Sequence, residues 1–289
     1  MTPFLAELEV GAGGTVETPS GKGRGGENFP VASWLIRRDL RPHVHAFYRF
    51  ARNADDIADN PALSAHEKIR RLDRMASVLD GAPGGDAPAA AAMRESLAAT
   101  GVTAQHCRDL LVAFRRDARQ LRYRDWDDLM EYCRYSAAPV GRHVLDLHRE
   151  SRAAWPASDA LCAALQVLNH LQDCAADYLR LDRVYLPQAD LDAAGIDAAA
   201  LAGSSANPGL RRVLDGLLDR TASLVETGRG LPCRVASPGL RCECAVIVEL
   251  AARLLRRLRS GDPLAQRVGL GKWDFLAAFL RGVVRGAPR

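Results

Sequence analysis

Long apolar runs are missing from this chain. No stretch approaches about 18 uninterrupted apolar residues, so no transmembrane helix is expected. The amino terminus shows no basic patch followed by an apolar core, so no secretory signal is expected either. Aromatic residues are scarce, at 6%. The charge excess is small: a net +4 and a pI near 8.8 fall short of a nucleic-acid-binding protein, and the Arg clusters lack interleaved aromatics or finger spacings. Seven cysteines, scattered through helical patterns, read as reduced core residues of a cytoplasmic protein. Cys242-x-Cys244 has no partner pair, and the histidines do not gather with it, so zinc is not expected. The glycines of GAGGTVETPSGKGRGG neither follow a strand pattern nor open a helix, which argues against a phosphate loop.

What is present is helical. Hydrophobic residues make up 48% of the 289 positions, enough for a sizeable core, and Ala and Leu dominate them. Residues 1–26 read as a disordered Gly-rich tail and residues 27–289 as one all-α domain of eight to ten helices around a central apolar cavity. The first long helix has Pro42 in its first turn and ends before Pro61. Ser64 and Glu67 form a capping box for a helix to about Asp80. Ala89–Ala99 and Thr103–Gln120 follow, then Asp125–His148 as one helix kinked at Pro139. There Gly141 allows a ligand, or simply a neighbouring helix, close to the backbone. Pro156 opens the next helix, Leu191–Gly195 is one turn, and Pro208–Gly228, Pro238–Arg259 and Trp273–Val283 are the last three.

Two segments carry more polarity than a core helix tolerates. In NHLQDCAADYLRLDRVYLP (Asn169–Pro187), Asn169, Asp173 and Asp177 are four apart and share one helical face, yet Leu161, Leu165, Leu168 and Leu171 mark the segment as largely buried. Buried carboxylates are costly unless a positive group faces them. In FYRFARNADDIAD (Phe47–Asp59), Tyr48, Arg52, Asp55 and Asp59 also share a face, with Asp56 rotated to its edge. Oxygen donors of this kind suit Mg²⁺, which is held by one or two carboxylates together with substrate phosphates. His170 adjoins Asn169 but points off its face; the histidines read as packing or surface residues. A metal–diphosphate cluster at the mouth of an apolar cavity can draw diphosphate from a carbon skeleton and leave a carbocation shielded from water. Tyr48, Phe47, Phe50, Tyr132 and Tyr135 are either cation-facing aromatics or ordinary core residues.

These motifs resemble the squalene/phytoene synthase family. Phe50–Asp59 resembles its first aspartate motif, with Arg52 as the preceding Arg. Asn169, Asp173, Asp177 and Arg183–Pro187 resemble its second motif, and Tyr132–Leu145 its helix around a Val-Gly pair. The resemblance implies the isoprenoid synthase fold, Mg²⁺ and a C15 or C30 prenyl diphosphate. It also implies site roles. Asp55, Asp59, Asn169, Asp173 and Asp177 would hold metal, with Asp56 in support. Arg52 and Arg183 would contact diphosphate, and Tyr48, Phe29 and Tyr132 would line the cavity near Gly141.

Glu27–Ser33, Arg41–Asp59 and Asn169–Tyr178 are most similar to the bacterial branch of the family that ionises presqualene diphosphate and captures the rearranged cation with water. No hydride donor is then required, in keeping with the missing nicotinamide fingerprint. Gln172 stands where most relatives carry Arg, and Leu181–Asp182–Arg183 replaces Arg-Gly-Arg; fewer cations fit a catalyst that expels one diphosphate. The alternative is a head-to-head condensing synthase using two prenyl diphosphates. Presqualene diphosphate would be handed over by the synthase that makes it. An insoluble product places the protein in the cytoplasm at the inner face of the membrane, where Arg253, Arg256, Arg257, Arg259, Arg281 and Arg285 are either headgroup contacts or a solvated basic face.

Overall fold

Helix α1 (Arg41–Ala58) carries Pro42 in its first turn, where the missing N–H costs nothing, and stops at Asp59 before Pro61. The computed structural model describes residues 15–17 and 35–286, with side chains as far as Gly282. Helix α2 (Ala65–Leu79) is capped by Ser64, whose hydroxyl accepts the Glu67 N–H at 3.2 Å. Helix α3 (Pro88–Thr100) ends on Gly101 at φ +73°, and α4 (Gln105–Asp117) follows. Phe50, Ile57, Leu72, Met75, Met93 and Leu111 of these four helices interlock in one core. Val16 joins that core, and its N–H donates to the Asp86 carbonyl at 2.8 Å; of residues 1–26, expected as a disordered tail, all but 15–17 lie outside the described ones.

The second half of the fold is built on α7 (Trp155–Leu181), 27 residues and about 40 Å long. It packs against α5 (Trp126–Ser136), α6 (Ala138–Leu147), α9 (Pro208–Gly228) and α10 (Pro238–Ser260). Helix α8 (Gln188–Ala194) ends on Gly195 at φ +66°, and α11 (Lys272–Gly286) lies on α10. The fold is all-α, with an isolated bridge between Arg122 and Val184.

Two expectations are corrected. The described residues form eleven α-helices rather than eight to ten. Residues 125–148 form two helices rather than one kinked one, with a break at Ala137. Pro139 offers no N–H and its ring opposes the carbonyl four residues earlier, so it fits only the first turn of a new helix, α6. All seven cysteines are unpaired. No helix among the described residues is long and apolar enough to cross a membrane.

Helices α10 and α11 touch backbone to side chain at Gly282. A Cβ there would lie 2.7 Å from the Val246 nitrogen and 2.9 Å from its Cα. Since backbone cannot swing aside, Gly282→Ala is expected to push α11 off α10 and destabilise the protein by about 1–3 kcal/mol, measured by denaturant unfolding.

Candidate active site

The site lies on the seam between the two cores. Along α1, Phe47, Phe50, Ala54 and Ile57 turn into the first core, which leaves Tyr48, Arg52, Asp55 and Asp59 facing the other way. Along α7, Leu161, Leu168 and Leu171 enter the second core, and Asn169, Asp173 and Asp177 face α1. The two stripes line one cavity of about 380 Å³, together with Phe114, Asp117, Tyr132, Ser136, Gln166, His170, Arg183 and Tyr185.

Arg183 joins the halves. Helix α7 ends on Asp182, held at φ +49°, and Arg122 donates to its carboxylate at 2.6 Å and to its carbonyl. Val184 N–H then donates to the Leu121 carbonyl at 2.9 Å. The turn so fixed sends Arg183 back across the seam. Its Nη1 donates to Asp59 Oδ1 at 2.7 Å and to the Tyr185 hydroxyl at 3.3 Å, and its Nη2 donates to the Asp117 carbonyl at 3.2 Å. Asp117, 4% exposed, accepts from the Tyr132 hydroxyl at 2.8 Å and from Tyr185 at 3.4 Å. Arg52 pairs with Asp55 at 3.1 Å and with Asp56 at 3.0 Å.

Carboxyls outnumber cations here, and their proton affinities record it. Burial, then the charge of Asp59, pushes Asp55 up to about 8. Burial and Asp173 push Asp177 up to about 7. Burial pushes Asp117 up to about 6 despite Arg183. Burial opposes the charge on Arg183, but Asp117, Tyr185 and Asp59 outweigh it and hold the guanidinium charged. His170, stacked on Tyr185 with ring centroids 3.4 Å apart, is pushed down to about 3 by burial and is neutral.

A second cavity, of about 330 Å³, adjoins the first at Tyr48 and Ala51, which line both. Its walls are apolar: Phe47, Val140, Val144, Leu161, Leu165 and Ile247 are among them. Gly141 lines it too, and a Cβ there would lie 2.3 Å from Ser158 Oγ and 2.7 Å from Cys162 Sγ, so the glycine admits α7 close to α6.

Several sequence-predicted residues stand elsewhere. Asp56 turns away from the cavity, its side chain 6% exposed and held by Arg52. Gln172 is buried outside the cavity lining, beside Gly269, because it sits about 100° around α7 from Asp173. His170, expected off the face, lines the cavity. Phe29 and the rest of Glu27–Ser33 lie outside the described residues. Arg253 and Arg257 pair with Asp274, and Arg259 with Asp219; the side chain of Arg285 is outside the described set. Sequence reasoning missed Asp117, Ser136, Gln166 and Tyr185. Two left a signal: Gln166 extends the Asn169 stripe by one turn, and Asp117 continues the buried Leu110–Phe114 face of α4.

The donor set is all oxygen and amide. Among the described residues no three carboxylates, imidazoles or thiolates converge into a closed cage. Oxygen donors of this kind would suit a hard divalent cation completed by water and phosphate oxygens, and the surplus of confined carboxyls supplies the charge to attract it.

The squalene/phytoene synthase profile matches residues 23–274. The chain belongs to the squalene/phytoene synthase family. It is 48% identical over 262 residues to the hydroxysqualene synthase of Rhodopseudomonas palustris, covering 91% of this chain and 89% of that protein. Against the hydroxysqualene synthase of Zymomonas mobilis the identity is 46%, over 89% of this chain and 87% of the relative. Among solved structures, a squalene synthase from Alicyclobacillus acidocaldarius superposes with a TM-score of 0.70 at 35% identity, covering 80% of this chain and 87% of that one. A ligand-bound dehydrosqualene synthase reaches 0.74 at 22% identity, over 89% of this chain and 91% of that one, and shares the fold. The chain is an enzyme of this prenyl diphosphate-processing type, with the isoprenoid synthase fold.

Two outcomes are expected at the seam. Asp117→Ala removes the buried carboxylate that accepts from the Tyr132 and Tyr185 hydroxyls and lies 4.0 Å from the Arg183 guanidinium, and is expected to destabilise the protein by about 1–3 kcal/mol, read by denaturant unfolding. Metal ligation needs ionised carboxyls, and both Asp55 (about 8) and Asp177 (about 7) are raised above their ordinary value. Binding of a divalent cation with pyrophosphate at pH 7 is therefore expected to release protons, visible as a buffer-dependent calorimetric enthalpy. The release fades once both groups are already ionised, above about pH 9, and apparent affinity falls as pH drops through 7.

Proposed function

We propose that the protein ionises presqualene diphosphate in a Mg²⁺-dependent step and captures the rearranged carbocation with water, forming hydroxysqualene and releasing diphosphate. The observation that carries this reading is the pairing of cavities: two facing carboxylate stripes at the mouth of a chamber walled by apolar side chains. The similarity to curated hydroxysqualene synthases over nine-tenths of the chain supports the same substrate.

In this reading Asp55 and Asp59 from α1, and Asn169, Asp173 and Asp177 from α7, hold Mg²⁺. Bound Mg²⁺ supplies positive charge that binds the diphosphate and stabilises the oxygens as the C–O bond breaks. Arg52 adds a cation from α1 and is itself oriented by Asp56. Arg183 fixes Asp59 toward the cavity and, with Tyr132 and Tyr185, is locked by Asp117. Tyr48 stands at the junction, where the phosphorylated end gives way to hydrocarbon. The apolar chamber keeps bulk water from the cation, and its aromatic faces favour positive charge. The assignment does not depend on Gln172. The substrate would come from a presqualene diphosphate synthase, and the insoluble C30 product would be discharged from the cytoplasm into the adjacent bilayer.

Incubation with presqualene diphosphate and Mg²⁺, without reduced nicotinamide, is expected to give hydroxysqualene on mass analysis of the lipid extract. Formation of a condensed C30 or C40 product from farnesyl or geranylgeranyl diphosphate would establish the head-to-head condensing reading instead. Asp55→Asn and Asp173→Asn are each expected to lower turnover by about 100-fold or more while leaving the helical circular dichroism unchanged. Activity retained in both would remove the metal assignment.

A further inference from the structure

The apolar chamber is not wholly apolar. Glu243 lies in its wall, 4% exposed, on the same face of α10 as Leu240, Cys244 and Ile247. Among the described residues that line this chamber it is the one carboxyl. The other polar groups are less suited to taking up a proton. Cys162 is hydrogen-bonded to Ser158 and to the Gly141 backbone, and burial pushes its thiol up to about 11. Burial likewise pushes the Cys244 thiol well up. Tyr48 stands at the junction with the carboxylate cavity. A carboxyl is costly to place in a hydrocarbon-binding wall. Its chemistry suits what a water-quenched carbocation needs: negative charge near the cation and an acceptor for the proton of the attacking water.

We propose that Glu243 is the catalytic base of the quench: it holds a water by hydrogen bond inside the apolar chamber and takes its proton as oxygen attacks the rearranged cation. This rests on the preceding reading of the reaction. The balance is simple. A lone pair on the water oxygen forms the C–O bond, and one O–H bond breaks with its electron pair remaining on oxygen. The proton passes to the Glu243 carboxylate, a neutral alcohol results, and the carboxylic acid returns its proton to solvent when the product leaves. Since diphosphate departs in the other cavity, before the quench, loss of Glu243 changes what the cation becomes more than how fast it forms.

The test measures pyrophosphate release and lipid products separately, with the full chain, presqualene diphosphate and Mg²⁺. Wild-type enzyme that releases no pyrophosphate overturns the preceding reading and this one with it. Given wild-type release, Glu243→Gln is expected to keep pyrophosphate release within about tenfold, while the hydroxysqualene fraction of the lipid product falls about tenfold or more in favour of proton-loss products and isomeric alcohols. Glu243→Asp, whose carboxylate is set back by one methylene, is expected to give an alcohol fraction clearly below wild type and above that of Glu243→Gln. An unchanged product ratio in Glu243→Gln overturns the proposal. So does a parallel fall of pyrophosphate release and alcohol in a variant with native circular dichroism and melting temperature. Should Glu243→Gln fail to fold, Glu243→Asp decides: a lowered alcohol fraction with pyrophosphate release retained supports the base, and an unaltered fraction overturns it.

Discussion

The fold depends on bringing two rows of carboxyls together across a seam where they repel. Asp55 and Asp59 lie on or at the end of a helix that packs one hydrophobic core, and Asp173 and Asp177 lie on a helix that packs the other, so the packing that closes the protein also concentrates negative charge. Arg183 makes this tolerable. It arrives from beyond α7, pairs with Asp59 of α1 and caps the end of α4 at Asp117, so one guanidinium ties three helices. It does not neutralise the site, as the raised proton affinities of Asp55 and Asp177 record. The residual deficit of positive charge is what would draw cations to the cavity in the proposed reaction. A sequence selected for stability alone would replace such carboxyls with packed apolar side chains.

The division of the interior into a polar and an apolar cavity gives the site its chemical direction. Diphosphate favours the carboxylate end only when cations accompany it, and a polyprenyl skeleton favours the other end by burial alone. Substrate orientation is thus set by solvation before any specific contact is made. Tyr48 and Ala51, shared by both walls, mark where the scissile bond lies in the proposed complex. In the proposed reaction, ionisation there leaves positive charge on the side shielded from bulk water, where premature quenching is slow and rearrangement has time to proceed.

What was legible in the sequence followed helical periodicity. The α1 and α7 stripes could be placed because residues at i, i+4 and i+7 share a face, and each stripe was polar against an apolar remainder. Gln172 and His170 departed from that reasoning in opposite ways: a step of about 100° carries Gln172 off the Asp173 face, whereas the same step, expected to carry His170 off the Asn169 face, leaves it in the cavity wall. Gln172 consequently packs beside Gly269, and His170 faces the cavity and stacks on Tyr185. Asp117 and Tyr185 were harder. Their roles arise from α4 and the chain after α7 meeting in space, and no local period reports a long-range meeting. The helix break at Ala137 was visible as Pro139 but misplaced, because a proline so near the middle of a polar–apolar pattern reads equally as a kink.

The turn after α7 ties local backbone strain to the site. A non-glycine residue at positive φ is disfavoured by steric contact with its Cβ, at a cost of order 1 kcal/mol, so Asp182 would not hold that conformation unaided. Arg122 supplies the restraint, gripping both the carboxylate and the carbonyl of Asp182, while the hydrogen bond from the Val184 N–H to the Leu121 carbonyl fixes the chain direction beyond it. Had α7 run on by even one residue, Arg183 would have rotated with the helix and left Asp59 and Asp117 uncompensated in the seam. The strained residue therefore sits where the geometry needs a sharp exit. Its stabilisation comes from a solvent-accessible ion pair outside the cavity, which leaves the oxygen atoms inside it available to cations and substrate.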